Sequence, residues 1–293
     1  MNMKKRIFLT GGSGFIGRNI REQLGKKYII ISPSHLELDL IDTVAVAKFL
    51  EGNHFDIVIH TANIGGNKVE AAFPNIIGYN LRIFFNIVAC SKYFSRMIHL
   101  GSGAEYGIQS PIVSVKETDF GKRIPTDDYG FYKYVCSKYI EKADNITNLR
   151  IFGIFGKYEE YGFRFISNAI CRNIFGLPII INQNVKFSYT FVEDFVRIID
   201  YFVLHKSKNK FYNIGPAQKV DLVSAANIIN HISDQPTEII IRKQGLNKEY
   251  TCNSERLRSE LKQFGFTPLG NAVKSLYKWY QPRKTSFNPK ELE

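Results

Sequence analysis

Cysteine is scarce in this 293-residue sequence, and the few cysteines lie far apart. They form no CxxC motif and no cluster with histidine, which argues against a structural zinc site and against a secreted disulfide framework. The four are Cys90, Cys136, Cys171 and Cys252. We therefore expect no bound metal and a reducing compartment.

Long apolar runs are also missing. No stretch approaches the roughly 18 apolar residues of a membrane-spanning helix, so we expect no membrane partner. The start, from Met1 to Phe8, is basic and then apolar as in a signal peptide, but glycines begin at Gly11 and leave that apolar run too short. These absences together predict a cytoplasmic protein.

Acidic residues are outnumbered by basic ones. The chain has 27 Asp and Glu against 39 Lys and Arg, which gives a net charge of +12 and a pI near 9.4. Such a charge favours polyanionic partners, among them nucleic acids and phosphorylated small molecules. A helix-turn-helix pattern, an RNP-like sequence and a concentrated basic run are all absent, so we expect no nucleic-acid partner.

Over the first half of the chain, short β-branched apolar runs alternate with helical patterns. This alternation predicts βαβ units around a buried parallel sheet. The predicted strands are Arg6–Thr10, Tyr28–Ser32, Asp56–Thr61, Met97–Gly101 and Asn148–Phe152. The predicted helices are Gly14–Leu24, Thr43–Glu51, Ile77–Lys92 and Tyr129–Ala143.

From about Phe155 the alternation loosens. A strand-like Tyr189–Val192 leads into a helix from Glu193, Phe211–Ile214 reads as a strand, and Val220–His231 as a helix. We predict an α/β fold, with a Rossmann doubly wound parallel sheet and a smaller, interleaved C-terminal α/β substrate domain. The Rossmann domain is assigned to residues 1–158 and about 185–218, and the small domain to residues 159–184 and 219–293.

A glycine-rich loop follows the first strand directly. It contains GxGxxG at Gly12, Gly14 and Gly17, between a strand and a helix, as a dinucleotide site requires. Gly14 lets a pyrophosphate approach the N–H groups of the helix N-terminus, and Gly17 lets the helix pack closely on the sheet. The predicted cofactor contacts in this loop are Gly11, Ser13, Gly14, Phe15, Ile16 and Gly17.

The residues after the second strand bear on the choice between NAD and NADP. An acid at this place would bind the ribose 2′-hydroxyl of NAD and repel the phosphate of NADP. The chain reads Ser32-Pro33-Ser34-His35, and its nearest acid is Glu37. We therefore favour NADP(H), with Ser34 and His35 as candidates for the phosphate. The lack of an arginine there leaves NAD(H) open.

The segment Asp39-Leu40-Ile41-Asp42 follows. An aspartate here can accept a hydrogen bond from the adenine amino group, so Asp39 and Leu40 are predicted cofactor contacts. An equally open interpretation is that Asp42 or Thr43 caps the next helix.

Tyr129 and Lys133 are spaced i, i+4, on one face of a predicted helix. A lysine ammonium beside a tyrosine stabilises the phenolate, which makes the phenol a usable acid or base near neutral pH. Ser102 follows a predicted strand, at the sheet edge where parallel sheets bind ligands. Ser102, Tyr129 and Lys133 are therefore the predicted catalytic residues.

These motifs together resemble the extended short-chain dehydrogenases, also called the NAD-dependent epimerase/dehydratase family, over nearly the whole chain. The further segments that carry the resemblance are Asp39–Asp42, His60–Ala62, Tyr79–Leu81, Tyr106-Gly107, Leu149-Arg150, Val192–Asp194, Tyr212–Gly215 and Asn253–Pro268. The resemblance implies a nucleotide-diphosphate sugar as substrate and a homodimer formed by helices near residues 78–92 and 129–143. It also implies cofactor contacts from Thr61, Ala62, Asn80, Tyr129 and Lys133.

The likeness is greatest to GDP-fucose synthases, in Leu36–Leu40 and Ala62–Gly66. Those enzymes epimerise C3 and C5 with a cysteine and a histidine before they reduce C4. Here the cysteine position is Ala104, and no histidine occurs between His99 and His205. The resemblance then implies simple reduction of a 4-keto-6-deoxy sugar in surface-polysaccharide biosynthesis.

Dehydratases of the family carry an Asp-Glu pair directly after the Ser or Thr, and this chain has Gly103 and Ala104 there. Glu105 comes one residue later and is expected to point to the other face. Dehydration is therefore not expected. A 4-epimerase or a C4 dehydrogenase using the same three residues stays open, as does a non-catalytic Rossmann binding protein.

The nucleotide of the substrate is not identified by the sequence. Phe187 stands where the family often has an arginine, and Gly153 stands at a usual asparagine. The predicted substrate contacts are Ser102, Gly103, Arg164, Lys186, Arg242 and Lys248.

Overall fold

The computed structural model describes residues 4–64 and 74–292 of the chain. Its central feature is a parallel sheet of six strands in the order β11-β6-β4-β3-β1-β2. The strands of the described chain are β1 (Arg6–Thr10), β2 (Ile29–Ile31), β3 (Phe55–His60), β4 (Phe94–Ser102), β5 (Ile112–Val115), β6 (Ile146–Ile151), β7 (Gly153–Phe155), β8 (Ile179–Asn184), β9 (Lys186–Phe187), β10 (Tyr189–Phe191), β11 (Phe211–Ile214), β12 (Val220–Asp221), β13 (Ile239–Leu246) and β14 (Tyr250–Cys252).

Helices cover both faces of this sheet. The helices of the described chain are α1 (Phe15–Leu24), α2 (Thr43–Asn53), α3 (Ile76–Val88), α4 (Asp128–Ile140), α5 (Phe165–Ile174), α6 (Val192–Leu204), α7 (Leu222–Ile232), α8 (Glu255–Leu261) and α9 (Leu269–Tyr280). Buried side chains of α1 and α6 form one apolar layer against the sheet, and those of α2, α3 and α4 form the other. The predicted Rossmann fold is confirmed.

The inner strands form as expected because their apolar, β-branched residues are buried on both faces of the sheet, whereas Ile29 of the edge strand β2 is exposed. β1 and β11 have the predicted bounds. β4 is longer than predicted because Phe94 pairs with Phe55 and Ser102 pairs with Ile151, so pairing continues at both ends.

Several predicted helix boundaries are wrong, among them the end of α4, which lies at Ile140 rather than Ala143. Val220 and Asp221 are not helical: they pair with β9, and the Asp221 carboxylate then accepts from the Ser224 N–H to cap α7. Helix α3 ends at Val88 rather than Lys92, since residues 91–93 form a 3-10 turn that leads into β4.

The remaining elements form a second, smaller cluster. Helices α5, α7 and α9 pack together beside the parallel pair β8 and β13. A four-stranded sheet in the order β12-β9-β14-β5 joins segments that are far apart in the sequence. The predicted domain boundaries stay a prediction.

Among the described helices, none combines the length and the apolar character that crossing a membrane requires.

Candidate active site

The glycine loop makes a tight connection between β1 and α1. Gly11 has a φ of +68°, and a Cβ on it would lie 2.8 Å from the Ala62 nitrogen. A Cβ on Gly17 would lie 2.2 Å from the Gly11 carbonyl oxygen, so α1 packs on the loop only because residue 17 has no side chain. The loop therefore needs glycine at positions 11 and 17, because a side chain at either position would clash with neighbouring backbone atoms.

The N-terminus of α1 is open for an anion. Gly14 caps the helix without any side-chain hydrogen bond, and the first turn has no acid. A Cβ on Gly14 would meet only the Gly11 carbonyl oxygen, at 3.4 Å. Ser13 is exposed beside it, while Phe15 and Ile16 are partly buried against the apolar clusters. Free helix N–H groups and an open approach fit a cofactor pyrophosphate.

The segment after β3 forms the next part of this edge. The Thr61 hydroxyl donates to the Thr10 carbonyl at 2.7 Å, and the Ala62 N–H donates to the Thr10 hydroxyl at 3.2 Å. The Asn80 side chain accepts from the Ile64 N–H and donates to the Ile64 carbonyl. Asn80 therefore fixes residues 61–64 against the glycine loop. Of the stretch 62–66, residues 65 and 66 lie outside the described part of the chain.

The region after β2 holds a hydroxyl and a guanidinium. The Ser32 hydroxyl is buried without a hydrogen-bond partner in the described chain, and a Cβ on Gly12 would lie 2.0 Å from its oxygen. Arg21 of α1 reaches the same place, with Nη1 3.5 Å from the Gly12 carbonyl oxygen. Sequence reasoning missed Arg21 because it lies on the helix rather than after the strand.

The acidic side chains that follow β2 accept hydrogen bonds from backbone N–H groups of their own segment. The Glu37 carboxylate accepts from the Ser34 N–H at 2.7 Å, and this bond lowers the Glu37 pKa. The exposed His35 has Nδ1 3.7 Å from the Asp39 carboxylate, which also accepts from the Ile41 N–H.

Asp42 caps α2 by accepting from the N–H groups of Val44 and Ala45, as the capping interpretation expects, and the adenine contacts of Asp39 and Leu40 stay predictions. The Leu40 carbonyl is held by Asn86 of α3.

Ser102, Tyr129 and Lys133 come together at the carboxyl edge of the central sheet. Ser102 ends β4, and α4 approaches it closely because a Cβ on Gly130 would lie 2.8 Å from the Ala104 carbonyl oxygen. The Ser102 hydroxyl is near enough to the Tyr129 phenol to lower the pKa of that phenol by hydrogen bonding. The Lys133 ammonium donates to the Leu100 carbonyl and lies 6.0 Å from the centre of the Tyr129 ring.

Burial shifts both titrating groups of this set. It raises the pKa of Tyr129, an effect that the Ser102 hydrogen bond and the Arg164 charge oppose. Burial also lowers the pKa of Lys133 to about 8, while Cys136 and Glu105 favour its charged form. The charge of Arg164, which is predicted as a substrate contact, therefore acts on the Tyr129 phenol.

A second phenol, Tyr250 of β14, reaches the same hydroxyl. Its oxygen lies 3.4 Å from the Ser102 Oγ. A Cβ on Gly103 would lie 2.7 Å from that phenol oxygen, so residue 103 has to be glycine for Tyr250 to approach. Tyr250 was missed because no local motif marks it.

Glu105 lies under the site and not in it. Its Oε1 accepts from the Ser102 N–H at 2.9 Å, and its Oε2 is 2.6 Å from Nε of the fully buried Arg150. The Ser137 hydroxyl, one turn after Lys133, donates to the same carboxylate. Glu105 therefore points away from the cleft, as expected, and its carboxylate is buried beneath Ser102.

The other predicted substrate contacts stay apart from Ser102 in the contacts of the described chain. Lys186 is exposed in β9, and Arg242 is exposed in β13, where it donates to the Asn182 side chain. Lys248 donates to the Gln109 carbonyl. Their substrate roles stay predictions.

The histidines near the site have structural surroundings. His60 Nδ1 hydrogen-bonds the Thr10 hydroxyl at 2.8 Å, and the His60 ring stacks on His99. Burial lowers the pKa of His60 to about 3, so this ring is neutral. In residues 4–64 and 74–292, no group of three or more His, Cys, Asp or Glu could hold a metal ion.

Comparison with known proteins agrees with this geometry. The model of the NAD dependent epimerase/dehydratase family matches residues 7–215, from β1 through β11. The chain belongs to that family. This membership confirms the resemblance found in the sequence and indicates an NAD(P)-dependent enzyme.

The relatives include a GDP-L-fucose synthase of Azorhizobium caulinodans, 28% identical over 158 residues that cover 50% of this chain and 50% of that protein. The chain matches about half the length of the first curated relatives. Among solved structures, UDP-glucose 4-epimerase of Thermotoga maritima with UDP-glucose is 19% identical with a TM-score of 0.82, covering 96% of this chain and all of the other. A GDP-mannoheptose C4 reductase of Campylobacter jejuni with NADP bound is 20% identical with a TM-score of 0.80, covering 96% of this chain and 99% of the other.

Proposed function

We propose that this protein is an NADPH-dependent reductase of a nucleotide-linked 4-keto-6-deoxy sugar in surface-polysaccharide biosynthesis. The observation that carries the proposal is the meeting of Ser102, Tyr129 and Lys133 at the sheet edge that also holds the glycine loop. A non-catalytic dinucleotide-binding protein has no need of all three groups at this edge. The relatives that reduce or epimerise nucleotide sugars add support.

The residues divide the work of the reduction. The bound nicotinamide cofactor supplies the hydride. Tyr129 donates its phenolic proton to the oxygen on sugar C4, so that the ketone becomes an alcohol. Ser102 donates a hydrogen bond to the same oxygen and orients it. The positive charge of Lys133 stabilises the phenolate that remains on Tyr129.

In the described chain, the positions directly after Ser102 add no second acid or base for the elimination of water. Residue 103 has to be small because Tyr250 and Phe152 fill the space around it, and Ala104 has no titratable group. The Glu105 carboxylate is occupied by Ser102, Ser137 and Arg150. These contacts leave hydride transfer as the chemistry that the site supports.

The cofactor is proposed to be NADPH. Ser32 follows β2 and has a buried hydroxyl without a hydrogen-bond partner in the described chain, and the Arg21 side chain lies against the same face of Gly12. A 2′-phosphate placed between them would receive a charge-assisted hydrogen bond from Arg21. Arg21 thus supplies the cation that the residues after the strand lack.

The substrate is proposed to carry a nucleoside diphosphate. Arg164 begins α5 and is close enough to Tyr129 for its charge to favour the phenolate. A guanidinium whose charge reaches the reacting group suits the phosphate attached to the sugar. The four cysteines are free and buried, which fits the reducing cytoplasm as the place of the reaction.

The protein is proposed to be a homodimer through the outer faces of α3 and α4. Phe85 and Tyr139 are each 39% exposed there, and their rings meet edge to face at 5.4 Å. A second copy of this pair would remove two exposed aromatic rings from water. In sedimentation experiments, we expect the Phe85→Asp variant to be monomeric. The control variant Leu246→Asp, which changes an exposed residue of β13, should stay dimeric. A monomeric wild-type protein would refute the dimer.

The test of the function is NADPH oxidation followed at 340 nm with 4-keto-6-deoxy sugars on GDP, CDP and dTDP. Loss of NADPH with one of them establishes the reductase and names the base. If neither NADPH nor NADH reacts with any of them, the proposal fails. Saturated nucleotide sugars with NAD then separate an epimerase or dehydrogenase from a protein that only binds.

A further inference from the structure

We propose that Tyr250 is a positioning residue of the active site, whose phenol donates to Ser102 and directs the serine proton toward the reacting oxygen. The inference rests on the proposed reductase function. It adds a role for a residue that lies 148 positions from Ser102 in the sequence.

The first argument counts the hydrogen bonds of the Ser102 hydroxyl, which has one proton to donate and two lone pairs to accept with. The Ala104 N–H occupies one lone pair, at 3.1 Å. Tyr250, at 3.4 Å, is placed to occupy the second. The Ser102 proton is then left for the oxygen at Tyr129 or for the sugar carbonyl. Without Tyr250 the hydroxyl is free to rotate its proton away.

The second argument concerns the surroundings of the Tyr250 ring, which are apolar. Its ring centre lies 5.1 Å from that of Phe152 and 5.9 Å from that of Phe187. A phenylalanine would satisfy this packing equally well. Partial burial of a phenol oxygen costs free energy unless the oxygen is hydrogen-bonded, and Ser102 is its hydrogen-bond partner in the described chain.

The third argument is that the fold holds the Tyr250 oxygen at this place. β14 lies between β9 and β5, with Tyr250 paired to Phe187 on one side and Ile112 on the other. Gly103 leaves the space that the phenol oxygen occupies. The distance of 3.4 Å exceeds the usual 2.7–2.8 Å of an O–H···O bond, and such bonds in unliganded sites commonly tighten when substrate binds.

The substitution that tests this role is Tyr250→Phe, which keeps the ring and removes one oxygen. Its matched control is Tyr189→Phe, because Tyr189 belongs to the same row of rings through Phe187 but does not bond Ser102. In single-turnover reduction we expect Tyr250→Phe to be about tenfold slower, the effect of one lost hydrogen bond, with KM within about twofold. Tyr189→Phe should stay close to the wild-type rate.

The pH profile separates positioning from packing. Reduction needs protonated Tyr129, so kcat/KM falls as pH rises through the Tyr129 pKa. If Tyr250 commits the Ser102 proton to Tyr129, its removal leaves the phenolate less stabilised and raises that pKa. The alkaline limb of Tyr250→Phe should therefore move to higher pH, whereas a packing defect would lower the rate equally at every pH.

A second readout needs no turnover. In protein labelled with [ζ-13C]tyrosine, the Tyr129 resonance is assigned by its loss in Tyr129→Phe. We expect that resonance to shift in Tyr250→Phe and in Ser102→Ala, and to stay in place in Tyr189→Phe. An unmoved Tyr129 resonance in Tyr250→Phe would overturn the inference. If the wild-type protein reduces no ketosugar, the proposed function fails, and this resonance alone decides the role of Tyr250.

Discussion

Arg150 and Glu105 form an ion pair in which neither side chain is exposed, with 2.6 Å between Nε and Oε2. The guanidinium lies against the stacked rings of Phe120 and Phe211, 4.2 and 4.4 Å from their centres. Because the same carboxylate accepts from the Ser102 N–H, the pair connects β6 to the carboxyl end of β4. The pair therefore fixes the backbone of Ser102, the proposed catalytic serine.

Glu105→Gln should strongly destabilise the protein, because it leaves a buried guanidinium without its counter-charge. We expect a loss of about 3–5 kcal/mol in the free energy of unfolding, measured by urea denaturation. Glu141→Gln, which breaks the exposed pair with Lys138, should cost less than about 1 kcal/mol. Equal losses in the two variants would contradict a buried, unscreened pair.

Arg21→Gln should weaken NADPH binding and leave NADH binding unchanged, because the 2′-phosphate proposed to bind the guanidinium is present in NADPH and absent from NADH. A lost charge-assisted bond corresponds to at least about a tenfold rise in the Kd for NADPH, measured by cofactor fluorescence. Arg18→Gln is the control on the same helix, since the Arg18 guanidinium lies over the Tyr158 ring at 3.9 Å. If Arg21→Gln weakens the binding of NADPH and of NADH equally, Arg21 does not bind the 2′-phosphate.

Glu159 predicts a pH-dependent stability. Its carboxyl is buried with the Ser167 hydroxyl as donor, and burial raises its pKa to about 8 from an ordinary 4.5. The folded protein keeps a proton that the unfolded chain releases, so stability falls as pH rises from about 4.5 to about 8. Glu159→Gln, neutral at every pH, should gain Tm relative to wild type as pH rises through this window.

Differential scanning calorimetry at pH 5 and pH 8.5 measures that gain. The neighbouring Glu160→Gln should follow the wild-type curve, because Glu160 lies at the surface and accepts a local bond from the Gly162 N–H. Parallel curves for Glu159→Gln and wild type would show that Glu159 is ionised in the folded protein.

The features that the sequence predicts correctly are those that depend on residues close together in the chain. β1, the glycine loop and the i, i+4 pair of Tyr129 and Lys133 each depend on residues within one or two turns of chain. The alternation of apolar runs likewise predicts the order of the strands along the chain and a parallel sheet. These features need no knowledge of distant contacts.

The features missed are those made by distant segments. Tyr250 reaches Ser102 only because β14 joins β5 and β9. Arg21 lies at Ser32 because α1 packs beside β2, and Glu105 meets Arg150 across the sheet. The sequence cannot tell whether a single basic residue such as Arg242 binds a ligand, because no local pattern distinguishes a ligand-binding cation from an exposed one.

The central claim is that Tyr129 gives its proton to the reacting oxygen, and one pair of variants tests it most directly. Tyr129→Phe and Tyr134→Phe each remove one hydroxyl from α4, but the Tyr134 ring packs on Phe120 away from Ser102. With a ketosugar that the wild-type protein reduces, NADPH consumption in a single turnover should fall about 10²–10⁴-fold in Tyr129→Phe. It should stay near the wild-type rate in Tyr134→Phe, with NADPH bound equally well by both. A wild-type rate in Tyr129→Phe would contradict the account.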